Sequence, residues 1–212
     1  MKSFDTTLYF ITDSTGFDEA EFLRRVEEAL KGGATILQLR EKNKTTGEYI
    51  ELAERVHGLT SKYNVPLIID DRIDVAMAVG AEGVHLGKED MPIATARKIL
   101  GDRFIIGATA KTVPWAIEAY EGGADYLGVG AIYPTTTKVK TVLTSTGTLD
   151  AICKAVPIPV NAIGGLNKNN TDVLRGIGIA GICVVSAIMK AEDPKKETMV
   201  LLSIAKELKK IQ

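Results

Sequence analysis

Eight short, continuously apolar runs alternate along this sequence with longer stretches whose apolar residues recur at helical spacing. Apolar runs without alternation are typical of parallel strands that are buried on both faces. Eight such β-then-α units within 212 residues predict a single-domain (β/α)₈ TIM barrel that spans residues 1–212, with its active site at the carboxyl ends of the strands. The predicted strands are Leu8–Ile11, a run that begins at Thr35, Leu67–Ile69, Gly83–Leu86, Phe104–Gly107, Tyr126–Val129, Pro159–Ile163 and Gly181–Val185.

A weak internal repeat supports this architecture. Glycine-containing segments at 32–35, 80–83, 122–125 and 178–181 each stand between a helical stretch and a strand. Glycines there are predicted to end helices with a positive φ, on the rim opposite the active site. The rival architecture is an open doubly wound sheet. It is disfavoured by the strand count and by the absence of a GxGxxG turn after the first strand.

Composition limits the class of partner. The chain is 45% hydrophobic and has a formal net charge of −1, which argues against a generally basic nucleic-acid-binding surface. Its two cysteines form no metal-binding spacing, and no apolar run is long enough for a membrane span. We therefore predict a cytoplasmic protein with no nucleic-acid partner and no membrane partner. The sequence is compatible with a homo-oligomer but does not determine the oligomeric state.

A basic segment follows the second predicted strand. Gln38, Arg40 and Lys42 occupy alternate positions, so in an extended chain they project from one face. A guanidinium and an ammonium directed at one point suit a phosphate group. The alternative is that Arg40 and Lys42 are solvated charges paired with Glu41.

Acidic residues follow two neighbouring strands. Asp70 and Asp71 end the third predicted strand, and Asp90 follows the fourth. Mg²⁺ typically uses one or two carboxylates together with substrate phosphates, so Asp71 and Asp90 are the candidate metal ligands. The alternative is that Asp70 or Asp71 caps the following helix.

Three later segments have the residue types of a second anion site. Gly164 and Gly165 allow close approach of backbone amides to an anion, and Val185-Ser186 begins the segment after the eighth strand. Phosphate sites in barrels often form from the loops after strands seven and eight. A Thr-rich segment, Thr135–Lys138, follows the sixth strand and is predicted to be a substrate lid rather than a solvated connection.

The residues alone therefore indicate two anionic sites and no Ser-His-Asp set. The simplest chemistry is loss of a diphosphate leaving group, promoted by a metal and by cations, with transfer to a second phosphorylated substrate.

With these motifs assembled, the chain resembles the thiamine phosphate synthase family along nearly its whole length. Several motifs in the same order make the resemblance specific. They are Gln38–Lys42, Asp70–Asp74, Gly83–Asp90, Gly123–Gly130, Pro134–Lys138, Ala162–Gly165 and Val185–Ile188.

The resemblance implies a Mg²⁺-dependent transferase that joins hydroxymethylpyrimidine diphosphate to hydroxyethylthiazole phosphate by a dissociative mechanism. Asp71 and Asp90 would bind Mg²⁺, and Arg40, Lys42 and Lys138 would act in catalysis. The pyrimidine diphosphate would contact Gln38, Leu39, Arg40, Glu41, Lys42, Asp70, Thr109 and Lys138. The thiazole phosphate would contact Thr135, Thr136, Thr137, Gly165, Val185 and Ser186.

Four residues depart from the pattern expected of this family, among them Lys88, where Gln is common, and Ala131, where Pro is common. Asp70 stands where the family usually has Asn, and Thr109 stands where it often has Ser. The alternatives for function are a thiazole tautomerase of the same superfamily and a non-catalytic sensor of phosphorylated ligands. Retention of the basic residues and of Asp71 and Asp90 favours the synthase, because a tautomerase needs neither a diphosphate pocket nor a metal.

Overall fold

A computed structural model describes residues 4–135 and 142–210 of the chain. Its eight strands are all parallel and are paired in sequence order, and the last strand pairs with the first to close a barrel. The predicted TIM barrel is confirmed, and the open doubly wound sheet is wrong. The strands are β1 (Leu8–Ile11), β2 (Ile36–Leu39), β3 (Leu67–Asp70), β4 (Gly83–Leu86), β5 (Ile105–Ala110), β6 (Tyr126–Gly130), β7 (Val160–Ile163) and β8 (Gly181–Val184).

Helices surround the barrel and connect its strands. They are α1 (Glu19–Lys31), α2 (Thr46–Lys62), α3 (Ile73–Val79), α4 (Ile93–Leu100), α5 (Val113–Glu121), α6 (Thr146–Ala155), α7 (Ser186–Met189) and α8 (Pro194–Lys210). The last helix begins at an Asp-Pro pair, residue types that favour a helix start. Asp193 Oδ1 accepts a hydrogen bond of 3.0 Å from the Lys196 amide, and Pro194 occupies the first helical position. Among the described helices, none is both long and apolar enough to span a bilayer.

The strands separate two apolar cores. One face of each strand packs against the helices, for example Leu37, Ile69 and Val84. The opposite face fills the barrel interior, where Tyr9, Ile36 and other residues form a smaller cluster. Burial of both faces explains why the strands are continuously apolar in sequence.

The connection between β7 and β8 departs from a regular β-then-α unit. It contains only a single 3₁₀ turn, Thr171–Leu174, in place of an α-helix. The segment is rich in Asn and Gly, which are poor helix formers. The predicted positive φ is present at Gly33, Gly80 and Gly123. In the fourth repeat, however, Gly176 takes it instead of a residue in 178–181.

Candidate active site

Cations and carboxylates meet at the carboxyl end of the barrel. Lys42 Nζ lies 2.7 Å from Asp70 Oδ2 and also contacts Asp71 Oδ2, and Arg40 Nε lies 3.7 Å from Asp70 Oδ2. Asp90 is close enough to Asp71 for that carboxylate to raise the pKa of the Asp90 carboxyl. We call these five residues the mouth cluster. The basic and acidic motifs that the sequence places on different loops therefore occupy one mouth of the barrel.

Local backbone contacts hold the acidic members in place. Asp71 has a φ of 61°, an uncommon conformation that Asp tolerates better than most residues. Its amide donates to the His85 carbonyl of the neighbouring strand, at 2.9 Å. Asp90 Oδ2 accepts a hydrogen bond of 2.6 Å from the Gly87 amide. Neither Asp70 nor Asp71 caps α3, because that helix has Arg72 as its N-cap and no side-chain capping bond.

Burial and repulsion shape the electrostatics of the mouth cluster. Burial raises the pKa of the Asp70 carboxyl and repulsion from Asp71 adds to this, whereas Lys42 and Arg40 oppose it. Burial also raises the pKa of Asp90, and Asp71 contributes again. Burial alone would lower the pKa of Lys42, but Asp70 and Asp71 outweigh that effect and raise it. Negative charge here is thus stabilised by few cations, and an added cation would stabilise it further.

The donor set fits Mg²⁺ held jointly with a substrate. Among residues 4–135 and 142–210, no three His, Cys, Asp or Glu side chains form a group that could hold a metal ion. The pair of facing carboxylates from Asp71 and Asp90 nevertheless supplies hard oxygen donors. Mg²⁺ commonly takes one or two carboxylates and completes its shell with water and substrate phosphate oxygens.

A hydrogen-bonded chain crosses the barrel interior below the mouth cluster. Gln38 Nε2 donates to the Tyr9 hydroxyl at 2.8 Å, and the Tyr9 and Tyr126 hydroxyls lie 2.7 Å apart. The Tyr126 hydroxyl lies 3.1 Å from His85 Nδ1, and His85 Nε2 lies 3.0 Å from Thr109 Oγ1. We call these five residues the barrel relay. Gln38 and Thr109, which the resemblance assigns to the pyrimidine, are its two ends.

Sequence reasoning missed the middle of the barrel relay. Tyr9 and Tyr126 lie within apolar strands, so the sequence alone suggests that they are core residues. A single histidine such as His85 is weak evidence for a functional site. The alternation of side chains along each strand could have indicated that Tyr9, His85 and Tyr126 face the barrel interior. Gly107 also contributes, because a Cβ there would lie 2.1 Å from Tyr126 Cζ and 2.6 Å from His85 Nδ1. The missing side chain makes room for the Tyr126–His85 contact.

Two residues of the basic motif do not point to the mouth cluster. The Leu39 side chain is fully buried in the core between strands and helices. Glu41 Oε2 accepts a hydrogen bond of 2.9 Å from Ser14 Oγ in the β1–α1 loop. Arg40 and Lys42 pair with Asp70 instead of Glu41, so the alternative of a Glu41-paired solvated surface is wrong.

The predicted second anion site lies on the loops after β6, β7 and β8. Gly164 and Gly165 have φ values of 104° and 65°, and a Cβ on Gly165 would lie 2.7 Å from Tyr133 Cβ. The loop after β7 therefore packs closely against the loop after β6, near Thr135. Val185 precedes α7 and Ser186 begins it, with an exposed side chain. Thr136, Thr137 and Lys138 lie outside the described residues.

Comparison with known proteins agrees with this geometry. A family model described as thiamine monophosphate synthase matches residues 8–188. The chain is 52% identical to thiamine-phosphate synthase 2 of Streptococcus pneumoniae over 92% of this chain and 93% of that protein. It is 48% identical to thiamine-phosphate synthase of Clostridium tetani over 92% of this chain and 93% of that protein.

A solved structure supports the same family assignment. The fold matches thiamine phosphate pyrophosphorylase from Pyrococcus furiosus with a TM-score of 0.87 and 44% identity, over 95% of this chain and 96% of that chain. The family match extends over every strand of the barrel, and these relatives each cover more than nine tenths of the chain. The chain therefore belongs to the thiamine monophosphate synthase family.

Proposed function

We propose that this protein couples hydroxymethylpyrimidine diphosphate to hydroxyethylthiazole phosphate, releasing diphosphate and forming thiamine phosphate. Membership of the family makes the chain a transferase of thiamine biosynthesis. The observation that carries the assignment of individual residues is the mouth cluster. It brings Arg40 and Lys42 together at Asp70 and joins Lys42 to Asp71, an arrangement that suits a diphosphate arriving with a divalent cation.

The leaving group is the diphosphate. The bond between the pyrimidine methylene and the diphosphate oxygen breaks with its electron pair moving to that oxygen. The thiazole nitrogen then donates its lone pair to the resulting carbocation. Arg40 and Lys42 stabilise the growing negative charge, which is the main catalytic contribution expected for such a step. Lys138 is proposed to act with them, and no general base is required.

Asp71 and Asp90 would hold Mg²⁺, which when bound supplies positive charge to the diphosphate oxygens. Before the diphosphate arrives, Lys42 is paired with Asp70 and Asp71. Binding of substrate with its cation would free the Lys42 ammonium to interact with phosphate oxygens. Asp70, buried beside Lys42 and Arg40, would keep both cations oriented toward the mouth.

The barrel relay is proposed to form the floor for the pyrimidine ring. Gln38 and Thr109 present an amide and a hydroxyl at opposite ends of a hydrogen-bonded chain, and polar groups in such a chain orient one another. The pyrimidine would thus be aligned at two points before ionisation. The thiazole phosphate is proposed to bind Thr135, Thr136, Thr137, Gly165, Val185 and Ser186.

An assay of the purified protein with both phosphorylated substrates tests the proposal. Thiamine phosphate and diphosphate should form in equal amounts with Mg²⁺, and EDTA should lower the rate by at least about a hundredfold. Activity should return on adding excess Mg²⁺. Equal product with and without EDTA would refute the metal assignment. Absence of thiamine phosphate under every metal would refute the synthase assignment.

Replacement of Tyr126 by Phe tests the barrel relay. The change removes the hydroxyl between Tyr9 and His85, which leaves two buried groups short of a partner. We expect the free energy of unfolding to fall by about 1–3 kcal/mol. We also expect kcat/KM for the pyrimidine diphosphate to fall by about tenfold. Denaturant unfolding and steady-state kinetics measure the two effects.

Tyr120→Phe is the matched control for this change. Tyr120 lies on α5 and its side chain is 41% exposed, so loss of its hydroxyl should alter neither quantity. If Tyr126→Phe lowers stability but leaves kcat/KM unchanged, the barrel relay is structural only. We further propose a cytoplasmic location for this protein.

A further inference from the structure

Arg25 connects α1 to the segment after β8. It lies on α1, and its Nη1 donates to the Met189 carbonyl at 3.1 Å and to the Ala191 carbonyl at 2.7 Å. Its side chain is only 15% exposed. Closure of the barrel explains this contact across the sequence, because β1 pairs with β8 and brings α1 beside α7.

Two further contacts favour this orientation of the Arg25 guanidinium. Its Nε lies 2.7 Å from Glu21 Oε1, one turn earlier on α1, which is an ion pair without the geometry of a hydrogen bond. Its Cζ lies 4.8 Å from the centroid of the Phe17 ring. An ion pair and a cation–π contact together orient the guanidinium toward the two carbonyl groups. This arrangement is more specific than that of a surface arginine paired with a neighbouring carboxylate.

The carbonyls that Arg25 binds lie at the carboxyl end of α7. The last carbonyl groups of a helix have no partner within it, and a cation there is favourable. Because α7 contains only four residues, it is too short to be stable by itself. Its backbone conformation therefore depends on tertiary contacts, namely the buried Ile188 and Met189 side chains and the Arg25 hydrogen bonds.

The opposite end of α7 carries the backbone assigned to the second substrate. Ser186 begins the helix, three residues before Met189 and therefore about 4.5 Å along its axis. The Met189 amide also donates to the Val185 carbonyl at 2.9 Å. A shift at Met189 is thus transmitted directly to Val185. We propose that Arg25 is a positioning residue that holds the Val185–Ser186 backbone in the geometry needed to bind the thiazole phosphate. This inference rests on the proposed function of that segment.

Arg25→Met tests the proposal, because Met keeps an unbranched apolar stem but has no charge or donor. We expect the KM for thiazole phosphate to rise about tenfold. The KM for pyrimidine diphosphate and kcat at saturation should stay within about twofold. Binding of thiazole phosphate alone, measured by isothermal titration calorimetry, should weaken by the same factor without any turnover.

Arg24→Met is the matched control. Arg24 pairs with the same Glu21 at 2.7 Å, but its side chain is 50% exposed, and within residues 4–135 and 142–210 no hydrogen bond or ion pair joins it to the α7 segment. It should change neither KM. Arg25→Lys should give an intermediate rise, since a single ammonium lacks the planar fork that is oriented by Glu21 and Phe17. If Arg25→Met does not fold, Arg25→Lys is the test. A rise of at least about threefold in its KM for thiazole phosphate supports the proposal, and a smaller rise refutes it.

The outcomes separate this inference from the proposed function. If the wild-type protein binds no thiazole phosphate, the assignment of the second site fails. If the wild type binds it and both Arg25 variants bind equally well, the positioning role is refuted. A parallel rise in both KM values would also refute it, because that result indicates a general loss of structure.

Discussion

Replacement of Lys42 by Ala should reduce kcat/KM for thiamine phosphate formation by roughly a thousandfold. Lys42 is the member of the mouth cluster that contacts two carboxylates, at Asp70 and Asp71. Without it, the leaving diphosphate loses a direct cation, and Asp70 loses its nearest counter-charge in a buried position. Affinity for thiazole phosphate should stay within about twofold, because that ligand is assigned to the loops after β6 to β8. Steady-state kinetics and calorimetric titration measure these quantities.

Lys44→Ala provides the control for this result. Lys44 lies in the same β2–α2 loop with an exposed side chain, so its removal changes the net charge equally. Its effect on kcat/KM should be small. If Lys42→Ala weakens thiazole phosphate binding as strongly as turnover, the division into two anion sites is wrong. If Lys44→Ala is equally damaging, long-range charge rather than position explains the effect.

Replacement of Asp71 by Asn should separate folding from catalysis at the same position. Asp71 has a positive φ, which Asn also tolerates well, so the backbone strain should not increase. The Mg²⁺ concentration for half-maximal rate should rise by at least about tenfold, and kcat/KM should fall by at least about a hundredfold. A Mg²⁺ titration of the initial rate, with thermal unfolding alongside, tests both parts.

Asp74→Asn is the corresponding control. Asp74 lies three residues later and pairs with Arg72, with a side chain that is 59% exposed. Its neutralisation should leave the Mg²⁺ dependence unchanged. An unaltered Mg²⁺ dependence in Asp71→Asn would show that this carboxylate is not a metal ligand. The Asp71–Asp90 contact would then serve the structure of the loops alone.

Agreement between sequence and structure was best where local pattern decides the outcome. Strand positions followed from the apolar runs of the sequence. A helix was expected between β7 and β8 because the other units are regular. The structure has a 3₁₀ turn there instead, which agrees with the poor helix propensity of this Asn- and Gly-rich segment. The side chains of Leu39 and Glu41 lie away from the mouth cluster, although the motif Gln38–Lys42 includes both. Consecutive residues of a strand face opposite sides, so membership of a motif does not determine which side chains reach the site.

By itself, the sequence determined that the strands are parallel and which loops share a mouth. Carboxyl ends of parallel strands lie on one edge, so Arg40, Asp70 and Asp90 had to be neighbours once the barrel was recognised. Only the tertiary structure decided which residues touch across the barrel. Tyr9 and Tyr126 are 117 residues apart and Arg25 is 164 residues from Met189. Such contacts depend on strand register and ring closure, which arise from packing of the whole chain rather than from any local pattern.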